Sequence, residues 1–264
     1  MLFHQLNFNQ LYRDHLKAAN YQPSSAQKWD KKAEKMAKNL AKPSLYVQNL
    51  LNAMRIAPNE TVLDIGAGAG ALAIPLTKQG VNVYALDFSS AMLAQLAQAK
   101  ARQNLTSLVL IEQSWTDDWE NVPCADVVLA SRSTLVADLD EMIDKLCAKA
   151  KKRVYLTSIT QPHFLDARIF QAIGREQLGF PTYIYLLNRL YQRGILANVN
   201  FIETESGEFQ GETFEELQQS VVFSIGALSA IETQKLREFY ADIQRNGEKI
   251  RHGQPKWALI WWEV

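Results

Sequence analysis

The run Val62-Leu63-Asp64-Ile65-Gly66-Ala67-Gly68-Ala69-Gly70-Ala71 commits the chain to one local geometry. A short apolar stretch ends in an acidic residue, a glycine-spaced turn follows, and Leu72, Ile74 and Leu76 then recur at helical spacing. This is strand, tight turn, helix. Glycines at 66 and 68 let the backbone turn sharply and remove side chains that would hold a ligand away. A helix opening near Gly70 is expected to offer unpaired N–H groups beside the turn. A nucleotide-like cofactor fits such a place.

Two cofactor classes compete for it. Gly66, Gly68 and Ala71 satisfy G-x-G-x-x-G/A, so the turn alone admits a dinucleotide and an NAD-dependent oxidoreductase. Asp87, at the end of the second strand, is placed to take ribose hydroxyls, which both classes require. Asp64 separates them. A carboxylate two residues before the first glycine sets negative charge against a pyrophosphate, whereas it suits the ammonium and sulfonium of S-adenosylmethionine. Some sixty residues with helical patterning also precede the first strand, and dinucleotide domains often begin with that strand.

In four ordered pieces, three within the segment 61–119 and one just after it, the chain resembles a class I S-adenosylmethionine-dependent methyltransferase. They are the glycine run itself, Leu86-Asp87-Phe88-Ser89-Ser90-Ala91-Met92-Leu93, Ile111-Glu112-Gln113-Ser114-Trp115, and Ala125-Asp126-Val127-Val128-Leu129-Ala130-Ser131-Arg132-Ser133. The resemblance implies an α/β, Rossmann-like doubly wound sheet of seven strands, mostly parallel. Its reversed last strand is inserted between the fifth and sixth. It also implies roles for individual residues. Asp64 orders the turn and faces the methionine end of the cofactor, and Gly66, Ala67 and Gly68 give backbone contact. Asp87 grips the ribose, while Phe88 and Met92 lie against the adenine. Ser114 and Trp115 sit at the adenine edge, where many members carry an acid. Ser131 lies near the methionine portion. For Phe88 and Met92 the competing reading is plain helix packing.

Composition narrows the function further. Among 264 residues, 28 basic and 28 acidic side chains cancel, so nothing in the total charge suggests a polyanion partner. Cys124 and Cys147 are isolated and the four histidines scattered, so reduced cysteines and no metal site are expected. The start of the chain lacks a basic, then apolar, leader and no apolar run reaches membrane-span length, which makes the cytoplasm the default expectation.

Along the chain, residues 8–19 and 25–41 read as helices, with Ser24 and Gln27 as a capping box for the second. Its lysines (28, 31, 32, 35 and 38) read as a solvated face, because no aromatics interleave with them. Pro43-Ser44 opens a third helix. Strands are expected at 61–65, 81–87, 105–112, 125–130 and 153–159, with helices at 70–78, 90–103 and 135–149. After residue 160 come a helix from Tyr183 to Tyr191, a strand at 195–202, helices at 213–220 and 233–245, and a last strand from Trp257. One domain is expected, with 1–58 as a helical cap, 59–160 holding the cofactor and 161–264 facing the acceptor.

Methyl transfer from a sulfonium needs donor and acceptor held close and in line, and needs a base only for an acceptor that keeps its proton. No catalytic residue is therefore assigned. Ala130-Ser131-Arg132-Ser133 lacks the N-P-P-Y-like ending associated with base N-methylation, so a small-molecule acceptor is expected rather than nucleic acid. Arg132 suits a substrate carboxylate or phosphate, with an ion pair to an acid such as Asp138 as the alternative. Tyr183, and with it Tyr185 and His163, belongs to the segment expected to cover the acceptor. A catalytically silent S-adenosylmethionine-binding protein has the same cradle, so that alternative stays open, as does the oligomeric state.

Overall fold

The protein is described by a computed structural model covering residues 3–23, 25–40, 44–205, 207–209 and 211–264. Ser24 and Pro43, read above as helix-start signals, lie outside the described residues. Four helices come first: α1 (Phe8–Ala18), α2 (Ala26–Asp30), α3 (Ala33–Asn39) and α4 (Leu45–Ala53). An alternating series follows, running β1 (Thr61–Ile65), α5 (Ala73–Lys78), β2 (Asn82–Asp87), α6 (Ser90–Gln103), β3 (Leu108–Glu112), β4 (Ala125–Ala130), α7 (Leu139–Lys149) and β5 (Ala150–Ile159). The remainder comprises α8 (Ala167–Ile173), α9 (Tyr183–Gln192), β6 (Asn198–Glu203), α10 (Phe214–Ile225), α11 (Ala230–Arg245) and β7 (Lys256–Glu263).

Among the described residues the strands form one seven-stranded sheet in the order β3-β2-β1-β4-β5-β7-β6. Strands β1 to β5 pair in parallel, and β7 runs antiparallel to both β5 and β6. Both faces are covered. Leu63, Ile65, Val128 and Leu156 pack beneath α1, α7 and α9, while Val62, Val83, Leu129 and Tyr155 pack beneath α4, α5 and α6. Strands buried on both sides carry apolar residues at successive positions, which is why Val127-Val128-Leu129 shows no alternation. A third apolar cluster joins α8, α10 and α11.

Several boundaries differ from the sequence expectation, each for a local reason. The helix expected over 25–41 is two helices: Lys31 and Lys32 break it, so that Asp30 reaches the start of α6 while Ala33 packs on the glycine turn. Ser25 accepts from the Lys28 amide as N-cap. α5 opens at Ala73 rather than Gly70, because residues 70–72 complete the turn. α7 opens at Leu139 because Asp138 accepts from the Asp140 and Glu141 amides. Asn104, at φ 52, ends α6 in a left-handed cap and delays β3 to Leu108. β5 starts at Ala150, directly out of α7. Helix α8 had no expectation, α10 runs on through Val221, and a capping box of Ser229 and Glu232 starts α11 three residues before Thr233.

The turn after β1 is locked to the loop after β4. Ser133 donates through Oγ to the Ile65 carbonyl at 2.7 Å. A Cβ on Gly66 would stand 2.4 Å from the Ser133 Cβ, and Gly66 has φ +73. Gly66 is thus required by close approach and by backbone at once. Gly66→Ala should lower unfolding stability by about 2–4 kcal/mol, from left-handed strain plus overpacking. Urea midpoints test this, and an unchanged midpoint would show that the two loops move apart freely.

Candidate functional site

Parallel strands deliver the ends of β1, β2, β3 and β4 to one rim, and the expected cofactor residues gather there. Asp87 is buried and ties two segments together. One oxygen accepts from the Gly68 amide at 2.8 Å and the other from the Ser89 amide at 2.9 Å. A carboxylate offers about four acceptor sites, so each oxygen keeps capacity toward a ribose hydroxyl. Burial is the main cause that raises its pKa above the usual carboxylate value, and the charge on Asp30 adds to it.

Asp64 lies below the turn and is only 2% exposed. The Ala73 amide at the start of α5 donates to its carboxylate, yet Oδ2 is buried without a hydrogen-bond partner. Burial first, and then the charge of Asp87, push its pKa up to about 7. A buried carboxyl in that state gains most from a nearby cation.

The glycine amides of the turn are spent within the protein. The Gly66 and Ala67 amides both donate to the Leu86 carbonyl, Gly68 to Asp87 and Gly70 to the Ala67 carbonyl. What remains toward a ligand at Gly66, Ala67 and Gly68 is carbonyl and Cα surface. A Cβ on Gly68 would meet only the Met92 sulfur, at 4.0 Å, which leaves open space above this glycine.

Ser89 caps α6 by accepting from the Met92 amide at 3.2 Å. Its hydroxyl donates to Asp30 of α2 at 2.6 Å. Met92 is buried with Ala33 and Ala69, which is helix packing beside the open glycine, and Phe88 is half-buried next to Asp87. The Trp115 indole donates to the Ser133 carbonyl at 2.9 Å and stacks on Trp119 at 5.1 Å. Ser114 spends its amide on Asp117 and its hydroxyl on Thr116. Asp30 was not foreseen; its signal was hidden because only the break after α2 turns it toward Ser89.

Past the end of β4 a second group of side chains assembles. The Tyr46 hydroxyl lies 2.7 Å from the Ser131 Oγ and 2.9 Å from the Thr157 Oγ1. Arg132 sits in the left-handed region at φ 57, its amide donating to Thr157 Oγ1 at 2.9 Å. Its guanidinium lies 3.5 Å over the Tyr46 ring and 5.2 Å from the Trp257 ring. Asp138 does not pair with it, being engaged by Asn9, Arg13 and the start of α7. Among the described residues no carboxylate lies within ion-pair distance of Arg132.

Tyr183 is elsewhere. It packs edge-on against Phe201 of the edge strand β6, at 5.7 Å, and is not brought to Arg132. Tyr185 bonds His15 of α1, and His163 packs on Phe170. Tyr46 and Trp257 hold the place expected of these residues. Among the described residues no cluster suits a metal ion, and no helix is long and apolar enough to cross a membrane.

Known proteins share this architecture. Residues 62–154 match the family described as a methyltransferase domain. An uncharacterized protein of Haemophilus influenzae is 62% identical over 265 residues, spanning 100% of this chain and 99% of its own. Magnesium protoporphyrin IX methyltransferase of Arabidopsis thaliana is 37% identical over 120 residues, 43% of this chain and 36% of that one. The cyclopropane-fatty-acyl-phospholipid synthase-like protein of Lactobacillus casei shares the fold, with a TM-score of 0.60 at 14% identity over 97% of this chain and 100% of that one. With the glycine turn, the acidic strand ends and the reversed β7 in hand, residues 62–154 are a methyltransferase domain, set in a sheet with the Rossmann-like order of the class I S-adenosylmethionine-dependent methyltransferases.

Proposed function

We propose that this protein methylates a small molecule bearing an anionic group, with S-adenosylmethionine held over the Gly68 turn and the anion held by Arg132. The observation that carries the cofactor side is the character of the turn. Its amides at 66, 67, 68 and 70 are spent internally while a buried carboxylate with one unpartnered oxygen lies beneath it. A pyrophosphate needs donors and repels carboxylates, and a methionine ammonium or sulfonium prefers the reverse. Open space at Gly68 and the free lone pairs of Asp87 fit the rest of the cofactor.

Bound S-adenosylmethionine supplies an electrophilic methyl group on a sulfonium, open to in-line attack. The protein's share is orientation. Asp64 favours the cationic end, Asp87 fixes the ribose, and the Ser133 link holds the acceptor loop at a constant distance from the turn. Arg132, without a carboxylate partner, offers paired N–H groups to a carboxylate or phosphate. The Arabidopsis relative is named for a small-molecule acceptor, which supports that substrate class.

Calorimetry should give binding of S-adenosylhomocysteine and none of NAD; the reverse result would overturn the cofactor assignment. Arg132→Gln should leave S-adenosylhomocysteine affinity intact and abolish labelled product from a metabolite extract given labelled S-adenosylmethionine. Full labelling by the variant would reject the anion, and loss of both properties would make Arg132 structural.

Asp64 ties stability to pH. Its carboxyl titrates near 7 in the folded protein and at about 3.9 in an unfolded chain. The folded state therefore holds a proton that the unfolded state releases, and this stabilisation is lost as pH rises from about 4 to about 7. Asp64→Asn keeps an acceptor for the Ala73 amide and removes the titration. The variant should gain on the wild type by up to a few kcal/mol between about pH 5 and about pH 8 while binding S-adenosylhomocysteine more weakly. Parallel urea curves for the two proteins would contradict this.

A further inference from the structure

The guanidinium of Arg132 has an unusual seat, and the residue that provides it comes from the N-terminal helices. Left-handed backbone is costly for a long side chain and persists where the surroundings impose it. Here the Arg132 amide is held by Thr157, Thr157 by the Tyr46 hydroxyl, and that hydroxyl by Ser131, the residue before Arg132. The loop doubles back so that its own arginine lands face-down on the ring of the tyrosine that fixes it, at 3.5 Å. Tyr46 is itself immobile, being 3% exposed and set edge-on against Trp257 at 6.2 Å.

Stacking uses the face of a guanidinium and leaves its N–H edge for hydrogen bonding. Arg132 as a residue is exposed, while burial around the guanidinium lowers its pKa and one N–H also bonds the Tyr46 hydroxyl. Glu205, whose charge reaches Arg132, is occupied by the Leu45 amide at the start of α4 and stays beyond ion-pair distance. A flexible arginine would lose rotamer freedom on binding an oxyanion, whereas a stacked one has already lost it.

We propose that Tyr46 is a positioning residue of the acceptor site, holding Arg132 over its ring so that the remaining N–H groups take two oxygens of a carboxylate or phosphate on the acceptor. This rests on the anionic-acceptor reading above, and it assigns acceptor recognition in part to α4, outside the strand ends that form the cofactor cradle.

The test is NMR of the arginine Nε–H groups, with the Arg132 signal identified by its loss in Arg132→Gln. In the wild type that signal should be displaced upfield of the other arginines by the Tyr46 ring current, and should move on titration with inorganic phosphate or, separately, acetate. The anion with the lower half-saturation identifies the oxyanion class. Tyr46→Leu should abolish the upfield displacement and raise the half-saturating concentration about tenfold, while Tyr46→Phe, which keeps the ring, should retain the displacement. S-adenosylhomocysteine affinity should stay the same in both variants. A wild-type signal without upfield displacement overturns the proposal even if the leucine variant fails to fold. So does a leucine variant with unchanged anion affinity, or one in which cofactor affinity falls equally. A displaced wild-type signal that ignores both anions would reject the anionic acceptor while leaving the stacking in place.

Discussion

The carboxylate of Asp87 sits at the junction on which the rim depends. Through one oxygen it fixes the third residue of the glycine turn, and through the other it fixes the residue that caps α6. Two segments distant in sequence are therefore set at a constant separation by a single buried group. Removing it would leave two backbone amides without their acceptor in a closed region, each costing about 1–3 kcal/mol. Those amides offset part of the cost of burying it, while Asp64 nearby lacks such a partner on one oxygen and stays poised near neutrality. The fold thus spends one acid on architecture and leaves the other with an unpartnered buried oxygen.

The glycine-locked contact of Ser133 with Ile65 extends this constraint to the acceptor side. The indole of Trp115 bonds to the same serine's carbonyl, so the loops after β1, β3 and β4 meet at one residue. Tyr12 of α1 and Tyr21 just beyond that helix add to it, donating to the Val136 and Leu135 carbonyls. A loop held from so many directions can carry a residue at positive φ.

The parallel core was legible because its signals are local and dense. Apolar runs ending in Asp64, Asp87 and Ser131, separated by helical periodicity, fix strand ends to within a few residues. The reversed β7 came from family resemblance, since an apolar strand states no direction. What stayed hidden was tertiary. Nothing about Tyr46 at a helical position indicates that its hydroxyl will reach two strands, and Asp30 meets Ser89 only because a lysine-rich helix breaks. Tyr183 looked suited to the acceptor because its segment follows β5, yet α9 carries it to the outer edge. How the glycine amides would be spent was equally hidden: Gly66 and Ala67 donate to the Leu86 carbonyl, Gly68 to the Asp87 carboxylate and Gly70 to the Ala67 carbonyl.

The antiparallel β7 also sets an order of assembly. Strand β6 pairs with β7, and the outer edge of β5 is completed by the same strand. As a chain emerges in sequence, β1 to β5 can pair while the edge of β5 stays open, and β6 has no strand beside it until residues 256–263 have been made. Those residues also deliver Trp257 beside Tyr46. An unfinished chain therefore exposes a long bare edge, a hazard for pairing between nascent chains, and acquires its acceptor wall and a sealed sheet in the same event.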